Sequence, residues 1–291
     1  MIPLPRALVL ALGFYFGIPV VQISGTLQGQ TAPTDSILAI AHTLFTEASI
    51  LANQGHQDEA ESKLQRVLDI REKALGLDHP DVALALHNLG FIYNAQGRYA
   101  EAEPLLRRAL IIREAALGPQ HLEVALTLNS LAFTYGVRSR YEEAEPLYER
   151  ALAIDEIVLG PNHLEVAHVL SNLGMLYDDL DRYIEARSVY ERVLAIRETV
   201  LGLGHPDVAD ALINLASLYH HQELYAEAIP LYRRSLDIRK VEFGPEHSDT
   251  GLALENLILA CELFFALPYI AQEQQSITAP ESMTVLCRPS P

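Results

Sequence analysis

The sequence predicts an all-α solenoid built from antiparallel helix pairs, and three observations lead to this class. Histidine recurs at a fixed interval of 42 residues, and glutamate, alanine, arginine and leucine keep the same interval at other positions. An interval held this strictly is the signature of an array of one supersecondary unit. Within each unit the apolar residues fall three and four apart, which is the period of a helix. The recurring histidines are His79, His121, His163, His205 and His247.

Each unit divides into two helices with a short turn between them. In the unit that begins at His79, one apolar stripe runs over residues 82–93 and a second over 99–112. His79 and Pro80 mark the start of the first helix, because proline in the first turn gives up no helical hydrogen bond. Gly118 marks the end of the second helix, since glycine readily adopts the left-handed cap. Glycine and proline recur at the corresponding helix ends of the later units.

The repeat interval also defines the domain organisation. A charge-poor N-terminal segment, 1–32, precedes the repeat domain, 33–266, and an irregular tail is expected over 267–291. The predicted units are 37–78, 79–120, 121–162, 163–204 and 205–246, followed by a C-terminal capping helix at 247–266.

Composition fits such an array and argues against one class of partner. The chain is 49% apolar and 20% charged, which supplies enough core for stacked helix pairs. Its net charge of -17 repels phosphate backbones, so nucleic-acid binding is not expected. Many of the acidic residues have a structural explanation. Glu101 opens a second helix, where the macrodipole favours a negative charge, and we expect it to pair with Arg108 on the solvated face.

The repeated residues resemble a known family. Leu89, Gly90 and Tyr93, followed by Ala102 and Leu106, are similar to the tetratricopeptide repeat pattern, whose usual unit is about 34 residues. The longer interval of 42 residues resembles the repeats of kinesin light chains and related bacterial proteins. The resemblance covers residues 37–266. It implies a right-handed solenoid and a non-catalytic role in binding proteins.

The N-terminal segment differs in kind from the repeats. An apolar run over residues 7–21 has the length of the hydrophobic region of a signal peptide. Three interpretations of this segment are open: a cleaved signal peptide, a retained membrane anchor, or a non-membrane or misassigned start. We expect export, to the periplasm or the extracellular space, or anchoring with the repeats facing outward, rather than a cytoplasmic location. In an exported chain, Cys261 and Cys287 could form a disulfide, which depends on geometry.

The sequence lacks the motifs that would predict catalysis. It has no phosphate-binding glycine loop, no Cys-x-x-Cys pair and no His-Glu-x-x-His helix. The histidine ladder does not predict a metal site, because equivalent positions in stacked units lie about 8–10 Å apart, whereas a zinc ligand lies about 2 Å from the metal. We therefore predict no enzyme activity, no cofactor and no bound metal, and we interpret the histidines as helix-entry residues.

The resemblance also implies a peptide-binding groove lined by the first helix of each unit. The asparagines among its positions suit an extended peptide backbone, although they could instead fix neighbouring helices. An apolar floor in the earlier units and carboxylates in the later ones predict a partner segment with apolar anchors and basic residues. The predicted groove positions are His87, Asn88, Phe91, Asn129, Phe133, His168, Asn172, Met175, Asp178, Asp179, Asp210, Asn214, His220, His221 and Asn256.

Two acidic and two basic groove positions should meet. Asp178 and Asp179 precede His220 and His221 by one repeat interval, so the pairs should face each other across neighbouring first helices. Three interpretations are open: a solvated surface, a pH-dependent partner site in which the carboxylates raise the histidine pKa, or a metal site.

Two functions follow from these features. The first is a protein-interaction scaffold on the outer side of a bacterial membrane. The alternative is a regulatory or sensor module that binds a small ligand or metal and relays the change to a partner.

Overall fold

A computed structural model describes residues 33–267 and 280–287 of the chain. The predicted signal peptide or anchor at 1–32 lies outside the described residues. Within the described residues the chain forms twelve helices and no strand. The helices are α1 (Pro33–Asn53), α2 (Gln57–Leu75), α3 (Pro80–Ala95), α4 (Tyr99–Leu117), α5 (Leu122–Gly136), α6 (Tyr141–Leu159), α7 (Leu164–Asp179), α8 (Tyr183–Leu201), α9 (Pro206–His221), α10 (Tyr225–Phe243), α11 (Ser248–Ala266) and α12 (Pro280–Leu286).

The helices pack in tandem within two compact units that divide after Val158. In the first unit, α1 packs on α2, α2 on α3, α3 on α4 and α4 on α5. In the second, α7 packs on α8, α8 on α9, α9 on α10 and α10 on α11. Each odd-numbered helix up to α11 is therefore the first helix of a repeat, and each even-numbered helix up to α10 is a second helix. The predicted all-α architecture of consecutive helix pairs is confirmed.

The two helices of a pair cross at a small residue. A Cβ atom added to Gly90 of α3 would lie 2.7 Å from Cγ of Leu106 on α4. At Gly174 of α7, the added atom would lie 2.5 Å from Cε1 of Tyr190 on α8. Both separations are shorter than ordinary contacts between non-bonded carbon atoms, so a side chain at either position would displace the facing residue. Ala102 and its equivalents on the other second helices are also fully buried.

The histidine ladder caps the first helices. In α3, α5, α7, α9 and α11, the preceding histidine accepts a hydrogen bond at Nδ1 from the backbone N–H two residues later. The donor–acceptor distances are 3.1 Å for His79 and His121 and 3.2 Å for the other three. Each bond satisfies one of the amides that a helix N-terminus leaves without a partner. The predicted helix-entry role of these histidines is confirmed.

Glycine ends the second helices, as predicted. Gly118 follows α4 with φ 87°, and the equivalent glycines after α2, α6, α8 and α10 have φ between 85° and 90°. An L-residue with a side chain rarely adopts this region, so the position requires glycine.

A buried arginine joins the second helix of one repeat to the first helix of the next. Nη1 of Arg113 on α4 donates to the carbonyl oxygen of Glu123 on α5 at 3.0 Å. Arg71, Arg197 and Arg239 make the same bond at 2.9 Å to the residue ten positions later. Asp155 of α6 occupies this position in the remaining repeat and is also buried.

The predicted pairing of Glu101 with Arg108 is wrong. Arg108 instead forms an ion pair with Glu72 of the preceding second helix, with Nη1 2.5 Å from Oε1. Glu101 pairs with Arg98, three residues before it. The arginine ladder therefore links neighbouring repeats, because Arg108 of α4 reaches a carboxylate of α2. Arg234 and Glu198 repeat this link.

The tail is not irregular throughout, and the prediction is wrong for residues 280–286. These residues form α12, whose Met283 is buried in the core of α9, α10 and α11. Nε of Arg233 on α10 donates to the carbonyl oxygen of Leu286 at 2.8 Å. A disulfide between Cys261 and Cys287 fastens the end of α12 to α11.

One described helix segment, Thr34–Asn53 in α1, is long and apolar enough to cross a membrane by length and composition alone. The core helix of a soluble protein can pass the same test. Ala41, Phe45 and Ala48 of α1 are buried in the core that α1 shares with α2 and α3.

The cap at His121 provides a test of the histidine ladder. We expect His121→Ala to lower the free energy of unfolding by about 1 kcal/mol, because the amide of Glu123 loses its acceptor. His121→Asn should keep most of the stability, since asparagine is a strong N-cap residue. Urea unfolding of both variants measures the difference. Equal stability of the alanine and wild-type chains would contradict the capping role.

Candidate functional site

The predicted groove positions all lie on first helices, from α3 to α11. Each first helix buries one face against its neighbours and leaves these positions on another. Their accessibility is uneven: His87 is buried, Asp179 and His221 are exposed, and the others are half-buried. The structure thus places the set on one type of helix without making every member accessible.

His87 cannot line an accessible groove, so its prediction as a binding residue is wrong. Only 6% of the residue is exposed, because α3 turns this side chain into the interior. Burial lowers the pKa of His87 well below its ordinary value, and the charge of Arg113 lowers this pKa further. Its Nδ1 atom has no hydrogen-bond partner in the described structure. The side chain is therefore a neutral part of the core.

Two asparagines of the first helices form internal hydrogen bonds. Nδ2 of Asn88 donates to the carbonyl oxygen of Leu84, one turn earlier, at 2.8 Å. Nδ2 of Asn94 donates to Oγ1 of Thr134 at 2.9 Å and so connects α3 with α5. Asn94 thus fixes neighbouring first helices, a role that the sequence left open for the asparagines as a class. Asn172, Asn214 and Asn256 are half-buried on α7, α9 and α11.

The apolar groove positions are partly used by the core. Phe91 packs against the core shared by α1, α2 and α3. Phe133 meets the ring of Tyr99 edge to face, with ring centres 6.5 Å apart. Met175 is half-buried on α7. These side chains keep part of their surface accessible while their other contacts hold them in place.

Asp178 and His221 meet across two first helices. Oδ2 of Asp178 on α7 lies 2.8 Å from Nδ1 of His221 on α9. The aspartate side chain is 14% exposed and the histidine side chain 46%, so the histidine forms the accessible side of the pair. The predicted meeting of the acidic and basic positions is confirmed for these two residues.

His220 behaves differently from its neighbour. Its ring contacts Tyr225 edge to face, with ring centres 5.1 Å apart. Burial lowers the pKa of His220, and the charge of His221 acts in the same direction. The expected rise in histidine pKa beside the carboxylates is therefore wrong for His220, because this side chain turns toward α10 and becomes desolvated.

The later part of the groove is less acidic than the sequence predicts. Oδ1 of Asp210 lies 2.6 Å from Nη2 of Arg239, which reaches it from α10. Burial raises the pKa of Asp210, and this effect outweighs the opposing influence of Arg239. Asp178 is paired as well. Asp179 of α7 and Glu255 and Glu262 of α11 are carboxylates of this region that stay exposed.

His168 lies near the start of the same face. Its Nδ1 is 3.4 Å from Oε2 of Glu165, one turn earlier on α7. The pKa of Glu165 is lowered, mainly by its hydrogen bond with His168. Across the described residues, no three histidine, cysteine, aspartate or glutamate side chains form a group that could hold a metal ion.

Comparison with a protein-family profile adds an independent observation. The profile described as tetratricopeptide repeat matches residues 39–115, 81–156, 123–199 and 207–263. These segments cover most of the repeat domain predicted from the sequence. No curated protein sequence matches the chain.

Several solved structures share the fold. The nearly identical TPR-like repeats assigned to a kinesin light chain of Podosopora anserina are 25% identical, with a TM-score of 0.59, covering 71% of this chain and 98% of that one. BtubC (BKLC) from P. vanneervenii is 19% identical, with a TM-score of 0.57 and coverage of 90% and 96%. The apo form of RapI is 14% identical, with a TM-score of 0.59 and coverage of 85% and 81%. The last two similarities concern the fold alone.

The buried state of His87 predicts a pH dependence of stability. In the unfolded chain His87 binds a proton with an ordinary pKa of about 6.5. In the folded chain its pKa is well below this value, so it stays neutral to lower pH. The contribution of a neutral His87 is therefore complete above about pH 6.5 and is lost as the pH falls below it. Below this pH, we expect the free energy of unfolding of the wild-type chain to fall by up to about 1.4 kcal/mol per pH unit because of His87. The His87→Leu variant should lack this part of the pH dependence. Urea unfolding at several pH values measures both slopes, and parallel curves would contradict the assignment.

Proposed function

The chain belongs to the tetratricopeptide repeat family, and from this premise we propose that it is a non-catalytic scaffold that binds a protein or peptide segment along its first helices. The fold is that of a protein-interaction scaffold. The proposal adds that binding uses the groove positions of α7, α9 and α11, where accessible polar groups recur with the repeat.

A row of equivalent asparagines on α7, α9 and α11 supports this proposal. Asn172, Asn214 and Asn256 occupy equivalent positions on three consecutive first helices, and all three are half-buried. An amide side chain offers both donors and an acceptor, so it can bind the backbone of an extended segment whatever its side chains. A recurring row of such groups suits recognition by backbone hydrogen bonds.

The surrounding side chains define the chemistry of the partner. Met175 supplies apolar surface on α7, while Glu255 and Glu262 supply exposed negative charge on α11. The chain as a whole carries a net charge of -17. We infer a partner segment with apolar anchors and with lysine or arginine, since electrostatic complementarity favours its approach and orientation.

We also propose that the chain is exported or held with its repeats on the outer side of a membrane. The apolar run at 7–21 has the composition of a signal peptide or anchor. The disulfide between Cys261 and Cys287 supports the same location, because such bonds persist mainly in oxidising compartments. Two features of different origin thus favour export.

The amide row provides the test of the scaffold function. The double variant Asn172→Ala, Asn214→Ala loses two hydrogen bonds to the partner, each worth about 1 kcal/mol. We expect this variant to capture partners about tenfold or more weakly than the wild-type chain. The matched control is Ser188→Ala, Thr199→Ala, which truncates two exposed side chains of α8. Capture from an envelope extract is compared for wild-type, groove and control chains after thermal unfolding shows equal stability. Equal capture by all three chains would contradict binding along the first helices.

The location has a separate test. We expect residues 1–36, fused to a reporter enzyme that is active only outside the cytoplasm, to give an active fusion. Deletion of residues 7–21 should abolish this activity, because translocation depends on the apolar run. Reporter activity is normalised to the amount of fusion protein. An inactive wild-type fusion that is well expressed would refute export.

A further inference from the structure

The last first helix, α11, presents a broad exposed face with an ordered arrangement of side chains. Its opposite face is buried and includes Ala253, Leu257 and Phe264. Three rows with seven-residue spacing run along the exposed face: Leu252 with Leu259, Glu255 with Glu262, and Ile258 with Phe265. Leu252 is 54% exposed and Leu259 38%. Ile258 and Phe265 are each 47% exposed.

The geometry of a helix places the carboxylate row between the two apolar rows. Residues three, four and seven apart lie on the same side of a helix. Leu252, Glu255 and Leu259 are therefore neighbours, and Glu255, Ile258 and Glu262 are neighbours on the adjoining strip. Within each row the residues lie about 10.5 Å apart along the axis, given a rise of about 1.5 Å per residue.

Ile258 is exposed because no second helix of the described chain packs over it. Ile258 stands where α3 has Gly90 and α7 has Gly174, each in close contact with its second helix. A complete sixth repeat would place a second helix over this position. Instead, the seven-residue α12 buries Met283 in the core of α9, α10 and α11 and leaves Ile258 exposed.

The geometry points to a partner: we propose that the exposed face of α11 binds an amphipathic helix of another protein, with a central row of lysine or arginine flanked by apolar residues. Such a helix would set its basic row against Glu255 and Glu262 and its apolar residues against the two outer rows. The seven-residue spacing keeps each row facing the partner along the helix, and a facing row of opposite charge compensates the glutamates for the water that they lose. The proposal rests on the scaffold function and assigns a partner class to its last helix.

Charge complementarity selects this occupant over three others. A second copy of α11 would bring glutamates against glutamates, which is repulsive. The chain outside the described repeats cannot supply the basic row, because residues 1–32 contain only Arg6 and residues 268–291 only Arg288. An anionic lipid surface would repel the carboxylate row as well. A basic helix from a different protein satisfies both the charge and the apolar rows.

The test uses a synthetic probe, since the natural partner is not identified. The probe is a fluorescein-labelled helical peptide of three heptads with a lysine row between two leucine rows, and its counterpart carries glutamate in place of lysine. We expect the full chain to bind the lysine probe at least tenfold more tightly than the glutamate probe, as measured by fluorescence anisotropy. Glu255→Lys, Glu262→Lys should reverse this preference.

A matched control separates local from overall charge. Glu142 and Glu149 of α6 are also exposed and seven residues apart. Glu142→Lys, Glu149→Lys changes the net charge equally and should keep the wild-type preference. The proposal is overturned if the α11 variant keeps the wild-type preference, if the control reverses it, or if the wild-type chain does not distinguish the probes. Tighter binding to phosphatidylglycerol vesicles than to the lysine probe would also overturn it.

The scaffold function can fail independently. Asn172→Ala, Asn214→Ala should retain probe binding at α11, because these amides lie on α7 and α9. If this amide variant loses captured partners while the α11 charge reversal has no effect on probe binding, the scaffold function stands and the α11 proposal falls. If the charge reversal switches the probe preference while the amide variant captures partners normally, the α11 proposal stands and the groove function falls.

Discussion

The close crossing of two helices at a small residue is the constraint on which the repeats depend. At Gly90 and Gly174, an added carbon would displace the facing side chain of the second helix. Close packing of this kind fixes which face of each helix is internal. The remaining face of each first helix carries the candidate binding residues, with the exception of the buried His87.

The links between repeats rest on the second helices and on the loops. Buried arginines such as Arg113 reach the backbone of the next first helix, and surface arginines such as Arg108 reach the preceding second helix. A histidine cap then begins each first helix from α3 onward. These structural duties are carried by residues that recur every 42 positions. The groove positions vary in chemistry from one repeat to the next, as expected where a surface discriminates between partners.

The sequence predicts features whose cause is local and repeated. The helix pairs, the glycine ends and the histidine caps depend on neighbours in the chain, so the repeat interval reveals them. The partner of Arg108 depends on the packing of two second helices, and the burial of His87 depends on the orientation of α3. Neither follows from helical period alone. The meeting of Asp178 and His221 could be predicted because both lie at nearly equivalent positions of stacked helices. Helix α12 and its disulfide could not be predicted from the repeat, because they lie outside it and have no second copy for comparison.

Site-specific photo-crosslinking tests the central claim, that partners bind along the first helices, most directly. A photoreactive residue replaces Met175 or Asn256 on first helices, or the exposed Ile184 or Val241 on second helices. We predict that adducts with a partner protein form from the two first-helix positions and not from the second-helix positions. Equal adduct yields at all four positions, or adducts from Ile184 and Val241 alone, would contradict the claim.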